Sequence, residues 1–555
     1  MLRVTARARV VARGVVLVLL TSGAVLLSGG TAAQADFTAS PTPSWTPTAG
    51  RVYAAVRTGS TVVLGGTFTS LRSPDDTVVA QRAGLAAFDA ATGALLPWNP
   101  GALGGEVRAL VASGDGSALY VGGTFTSLAG QPRSGLGAVL MSSGAALPGF
   151  SSSLAGGGAY ALARVNSTLY VGGLFTQING VYRSRLAAVS TTSGALVTSF
   201  QASASWKVAT LEPGVDGRLL VGGDFRTLSG QPRDYLGAVD PITGAATAWR
   251  PPPACLNTSN PCYVFDVVMD GAGVYAAIGG PGGQVRAYDS ATGAGRWDAG
   301  TDGDVQAVAL DGGTLYAGGH FDTSFSGKPR AGIVALATGT GAVLDSFKPL
   351  LLGGTGVWAI LVSEQALQLV GHFSTVNGLA EPGNTRFAVK APPVTVVARG
   401  SAWSVREDGV APDPSWTSTS YDDSAWRRGR AQLGFGDGDE STVLAKGRTS
   451  YYLRHAFQLP SGATYADASV SLLRDDGAIV YVNGVEVIRS NMPAGPVDAS
   501  TSASSGIAGA EETAYAQHAV PVSALRSGTN VITVEVHQAG ATSSDLSFDL
   551  GLSLH

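Results

Sequence analysis

The stretch LYVGGTFTSLAGQPRSGLGAVLMSSGAAL at residues 119–147 decides the fold, because it returns. It comes back as LYVGGLFTQINGVYRSRLAAVSTTSGALV at 169–197 and as LLVGGDFRTLSGQPRDYLGAVDPITGAAT at 219–247. Looser copies are VVLGGTFTSL at 62–71, LYAGGHFDTS at 315–324 and LQLVGHFSTV at 367–376, and a degraded one is VYAAIGGPGGQVRAYDSATG at 274–293. Aligned on their second glycine, the copies fall at Gly66, Gly123, Gly173, Gly223, Gly280, Gly319 and Gly371, with intervals of 57, 50, 50, 57, 39 and 52 residues. A period of this length marks one supersecondary unit per repeat, stacked so that neighbours bury what a single unit cannot.

Each copy reads as four short strands. The first is V-x-A-L, as at Val107-Arg108-Ala109-Leu110; the second is L-Y-V-G-G-x-F; the third is L-x-A-V, as at Leu236-Gly237-Ala238-Val239. A T-G or S-G turn follows at Thr92-Gly93, Ser143-Gly144, Ser193-Gly194 and Thr243-Gly244, and the fourth strand ends near Trp98, Phe150, Phe200, Trp249, Trp297 or Phe347. Alternation within short runs and glycine at the turns carry these assignments. Seven such units predict a seven-bladed β-propeller over residues 36–393, in which each blade covers its neighbours and few strand edges stay open. The last copy ends at RFAVKAPP without a fourth strand, and PSWTPT at 43–48 is the segment expected to complete it. The units resemble the delta-60 type of bacterial β-propeller repeat, through Y-V-G-G-x-F…G-x-x-R…L-A-x-V-D…T-G over about 40–393. That resemblance implies a fold and carries no catalytic residues.

Outward from the repeats, the N-terminus reads as an export signal. Arg3, Arg7, Arg9 and Arg13 precede the apolar run VVLVLLTSGAVLLSG, and Ala33-Gln34-Ala35 is a small-x-small cleavage signature. Residues 1–35 are therefore expected to be a signal peptide cleaved after Ala35, giving a secreted protein with no membrane span in the mature chain. Four of the 36 Lys and Arg lie in that leader and none of the 40 acids do, so the mature chain carries a net charge of −8. Such a balance argues against nucleic-acid and anionic-lipid partners. Only two cysteines are present, Cys255 and Cys262 in CLNTSNPC, and in an exported chain they are expected to pair.

The repeat stops at the Pro-rich APPV of 391–394; residues 394–399 read as a linker and 400–555 as a separate β-domain. Asn483-Gly484 between Val480-Tyr481-Val482 and Val485-Glu486-Val487 is a two-residue hairpin signal. Tyr452-Leu453-Arg454 to Phe457, VYVNG at 480–484 and GTNVITV at 528–534 resemble the galactose-binding-like jelly roll of secreted bacterial proteins and the sugar-binding β-domain accompanying some glycoside hydrolases. The resemblance implies a β-sandwich that binds glycan or cell-wall polymer, with a structural Ca²⁺ as a candidate cofactor.

The candidate ligand-binding residues are Trp416 and Trp426, as faces for a pyranose ring, together with Asp475, Asp476 and His537. Each has a plainer use: core packing for the tryptophans and an Asx turn for the aspartates. Asp437, Asp439 and Glu440 in GFGDGDES are candidate Ca²⁺ ligands, although the spacing is not that of an EF-hand and a solvated loop explains them too. The recurrent Arg82, Arg133, Arg183, Arg233 and Arg330 are expected to brace loop carbonyls rather than bind anions, and His320 and His372 alone do not make a metal site. With neither G-x-S-x-G nor H-E-x-x-H present, the expectation is a monomeric, non-catalytic binding protein. The rivals are a polysaccharide-active enzyme with acids at a propeller mouth and a protein–protein adhesion scaffold.

Overall fold

The computed structural model describes residues 37–555 except 254–261, 281–282, 391–392, 464 and 466. It divides into two compact units, up to Val389 and from Lys390. The leader and Cys255 lie outside the described residues, so the cleavage site and the Cys255–Cys262 pairing lie outside them too.

In the first unit the first strands of the repeats are Val52–Thr58, Val107–Ala112, Ala159–Val165, Val208–Pro213, Tyr263–Met269, Asp304–Asp311 and Gly356–Val362. Each pairs antiparallel with the V-G-G strand that follows it, which pairs in turn with the L-x-A-V strand. Each first strand also packs against the first strand of the next repeat, and Gly356–Val362 packs back against Val52–Thr58. This is the arrangement of a β-propeller.

The glycine pair has a steric reason. A Cβ on the second glycine would run into a carbonyl at the entry to the repeat's own first strand: Arg51 for Gly66, Glu106 for Gly123, Asp304 for Gly319. A Cβ on the first glycine would enter the space of the next repeat's first strand, as Gly65 meets Val107 and Gly172 meets Val208. The fifth copy departs from this. Val264 pairs with Ile278, so Ile278, and not the expected Gly280, stands at the second-glycine position.

The fourth strand is shorter than expected. Among the described residues Gly295–Gly300 is the one full strand there; in the first four repeats and the sixth the fourth position is a single bridge, such as Phe88 to Leu95 or Val139 to Ala146. Pro97 and Pro148 follow closely and supply no N–H to extend the ladder. The Asp of L-A-x-V-D closes the preceding turn. Asp89 Oδ1 accepts the Thr92 amide and hydroxyl at 2.8 Å each, and Asp240 and Asp289 do the same with Thr243 and Thr292.

The closing segment also differs from the expected 43–48. Phe37 and Thr42 bridge Val389 and Arg386 beside the last sheet, while Thr46–Pro47 pairs with Ser70–Arg72 of the first repeat. The shift follows from packing: Phe37 is buried against Tyr316 and Phe347, and Pro47 can accept but not donate in a ladder.

In the second unit, two six-stranded sheets share one apolar core. One holds Leu546–Leu554 between Leu433–Phe435 and Ala468–Arg474; the other centres on Ser450–Leu459 and Gly528–His537. Trp403, Tyr451, Leu453, Val534, Leu472, Phe548 and Leu550 belong to that core. Residues 394–399 are not a linker: the β-branched run Val394–Val397 pairs with Leu546–Leu554.

Candidate functional site

All seven first strands carry a one-residue bulge at the same point, after the conserved apolar residue. The extra residues are Tyr53, Arg108, Tyr160, Ala209, Phe265, Gln306 and Trp358. A bulge re-aims a side chain out of the pleat. Here all seven line a cavity of about 420 Å³; Ala209 contributes only a methyl group, and Lys207 lines the cavity from the same strand end.

Around the cavity, Tyr53 meets Trp358 edge to face at 5.7 Å, and Phe265 meets Trp358 at 6.0 Å. The Arg108 guanidinium lies 3.6 Å above the Tyr53 ring and binds Glu106 at 2.6 Å. Lys207 lies 3.5 Å from Asp224. Residues after the bulge are alanine in five repeats, Ala54, Ala109, Ala161, Ala307 and Ala359, but Thr210 and Asp266 in the other two. Asp266 accepts Thr210 Oγ1 at 3.0 Å, its neighbour Val267 N at 2.9 Å and Val308 N at 3.1 Å, and so joins three consecutive first strands. Burial pushes its carboxyl up to about 6 despite those bonds. Glu212, on the strand that carries Thr210, is pushed up to about 8 by burial and by the charge of Asp266. None of these cavity residues was singled out from the sequence. The signal was there, as a departure from alanine, but only the pairing shows which position faces the cavity.

The second unit has a groove of about 540 Å³, walled by Trp416, Tyr452 and Tyr481 and rimmed by Glu486, Arg489, Asp498 and Glu535. Arg454 holds the loop that brings Trp416 there. Its guanidinium donates to the Trp416 and Ser418 carbonyls and to Asp423 at 3.1 Å. Tyr481 donates to Glu535 at 2.6 Å, and His537 lies 3.3 Å from Glu535 with Nδ1 2.7 Å from the Thr501 carbonyl. Burial and the Glu535 carboxylate raise the Tyr481 phenol well above its usual range.

No protein-family model and no curated protein matches the chain. Among solved structures it is similar to the WD40 β-propeller domain of Doa1, at 11% identity and a TM-score of 0.39, covering 63% of this chain and 98% of that one. A chain of a mitotic checkpoint complex gives 14% identity and 0.40, again covering 63% and 98%.

The structure distributes the sequence-predicted residues unevenly. Trp416 lines the groove, yet it is 8% exposed. Trp426 stacks beside it at 6.4 Å, and the edges of Tyr452 and Tyr481 face it, so it offers no open face for a sugar. His537 is fully buried behind Glu535 and is not on the groove surface. Asp475 and Asp476 are buried away from it. Asp476 accepts the Ile507 and Ala539 amides at 2.8 and 2.6 Å, the structural use of such residues. Burial and the Asp476 carboxylate push Asp475 up to about 8.

Asp437, Asp439 and Glu440 bring their oxygens within 4.8 Å of one another. Glu440 already accepts the Asp437 and Gly438 amides, and Asp437 accepts Ser547 Oγ. The recurrent arginines brace carbonyls: Arg133 donates to Pro132 and Phe150, and Arg233 to Pro232 and Thr247. His372 faces Thr355, and no group of three metal-ligating side chains among the described residues includes it or His320. Among the described residues no helix is long and apolar enough to cross a membrane.

Proposed function

We propose that the chain is an exported, non-catalytic binding protein: a seven-bladed propeller of delta-60-like repeats carrying a galactose-binding-like jelly roll that holds a saccharide. The observation that carries this reading is the groove of the second unit. Tyr481, backed by the covered rings of Trp416 and Tyr452, lies beside the polar groups of Glu486, Arg489, Asp498 and Glu535. Pockets for hydroxylated ligands combine apolar area with a few convergent polar groups in this way. The cyclic packing of first strands supports seven blades, and the leader's charge and cleavage signature support export.

The test is titration of the full chain with neutral cell-wall and plant polysaccharides, with and without Ca²⁺, beside an Arg489→Ala/Glu486→Gln variant. Both residues are on the rim and removed from the core. Binding weakened by about tenfold or more in the variant, at unchanged melting temperature, is the expected result. Equal binding by variant and parent, or release of reducing ends from the polysaccharide, rejects the reading.

A further inference from the structure

The propeller's cavity is built from positions that the fold itself leaves free. Five of the seven repeats form the same bulge followed by alanine. The bulge itself therefore requires no acid, and Asp266, which also ties its two neighbouring strands together, is a departure from the repeat that places a carboxylate at the cavity. Local rules are broken without compensation mostly at functional sites. Thr210 departs from alanine in the adjacent repeat and donates to that same carboxylate.

The chemistry around the cavity narrows the ligand. A carboxylate has about four acceptor sites; Asp266 uses three, on Thr210, Val267 and Val308, and one is left for a donor. Gln306, on the next first strand, and Arg108, on another strand of the ring, add donors to the same cavity. Both cations are already balanced, Arg108 by Glu106 at 2.6 Å and Lys207 by Asp224 at 3.5 Å. An anionic ligand would have to break one of those pairs and would face the Asp266 carboxylate, whereas hydroxyls can donate to that carboxylate and accept from the cations without doing so. Tyr53, Phe265 and Trp358 supply the apolar wall on which the C–H face of a sugar ring packs. The volume of about 420 Å³ falls at the small end of small-molecule sites, roughly 300–1,000 Å³.

We propose that this cavity is a second binding site, taking a neutral pyranose through a hydroxyl bonded to Asp266 and a ring face on Trp358. The site is independent of the groove in the second unit.

Two variants test it without removing a piece of the fold. Asp266→Ala installs the residue that five repeats already hold. Ala209→Phe fills the one bulge position that carries only a methyl group. The full chain is titrated with methyl glucoside, methyl galactoside and methyl mannoside, and with galacturonate and galactosamine, each to about 10 mM, by calorimetry and saturation-transfer NMR. The expected result is binding of at least one neutral glycoside, weakened about tenfold in Asp266→Ala and lost in Ala209→Phe. Each variant is also made in the Arg489→Ala/Glu486→Gln background, where the groove is disabled; binding that persists there and falls with Asp266→Ala belongs to the cavity, so failure here and failure of the groove reading can be told apart. Should Asp266→Ala not fold, Ala209→Phe alone decides. The proposal is overturned if no neutral glycoside binds, if a charged sugar binds about tenfold tighter than every neutral one, or if the folded variants bind like the parent.

Discussion

The two units solve the same problem, burying strands, in opposite ways. The propeller repeats one local solution. Its glycine pair, its bulge and its Asp-capped turn recur, and its core is a series of clusters, one between each pair of neighbouring repeats. The second unit has one main core from two sheets and a small cluster around Ile479, Met492 and Ala503, and its loops are held by individual long-range bonds such as those of Arg454. The comparison teaches that in the propeller a residue matters when it departs from its repeat, whereas in the second unit it matters through the partners it reaches.

The largest expected effects come from close backbone approaches, which both units use. A Cβ on Gly123 would meet the Glu106 carbonyl, and one on Gly434 would meet the Leu546 carbonyl. Gly123→Ala and Gly434→Ala should each destabilise by about 4 kcal/mol or more. Calorimetry should show the first lowering the transition of the propeller and the second that of the other unit, while Gly313→Ala, with open space around it, stays near the parent. A single transition lowered equally by both would break the comparison.

Next come the arginines. Arg454 is buried on the carbonyls of Trp416, Ser418 and Tyr421 and on Asp423. Its replacement by Ala leaves that carboxylate and those carbonyls unpaired and should cost about 3 kcal/mol. Arg133→Ala loses two carbonyl contacts at a half-exposed site and should cost about 1 kcal/mol. Urea denaturation of the two variants gives the ratio directly.

Glu212 gives a pH-dependent effect. Its folded value, about 8, lies above the ordinary 4.5, so the folded state holds the proton longer than the unfolded chain. Stability is then undiminished below about 4.5 and falls as pH rises toward 8. Glu212→Gln should match the parent at pH 4.5 and exceed it at pH 9 by about 1 kcal/mol or more. A difference independent of pH in urea melts would show that the carboxyl stays solvated.

The smallest effect belongs to the repeated turn. Asp240→Ala removes the acceptor for the Thr243 amide and hydroxyl on an exposed turn. A loss of about 0.5–1 kcal/mol is expected, read from the same melts. A much larger loss would mean that the turns, rather than the packing between repeats, hold the propeller together.

Much of the first unit was legible because its packing is local and repeated. The four-strand reading of each repeat omits the short hairpins Gln177–Ile178 with Val181–Tyr182 and Thr375–Val376 with Leu379–Ala380, although Asn179-Gly180 and Asn377-Gly378 are turn signals and both residues of each pair have positive φ. The shift of the closing segment from 43–48 to Phe37 and Thr42 was hidden, because Phe37 is placed by Tyr316 and Phe347, far along the chain. In the second unit Trp416 and Trp426 read equally as faces for a sugar ring or as packing residues; the structure stacks them on each other and covers Trp416 further with Tyr452 and Tyr481.

By itself the sequence determined an all-β chain, the repeat that builds a propeller, and a change of organisation near residue 390, since periodicity and glycine spacing report contacts made within one unit. Only the tertiary structure decided which residues face the cavity and the groove. A bulge adds one residue to one strand and so reverses which side chains point where. That register is set by the partner strand, and no single stretch of sequence contains it.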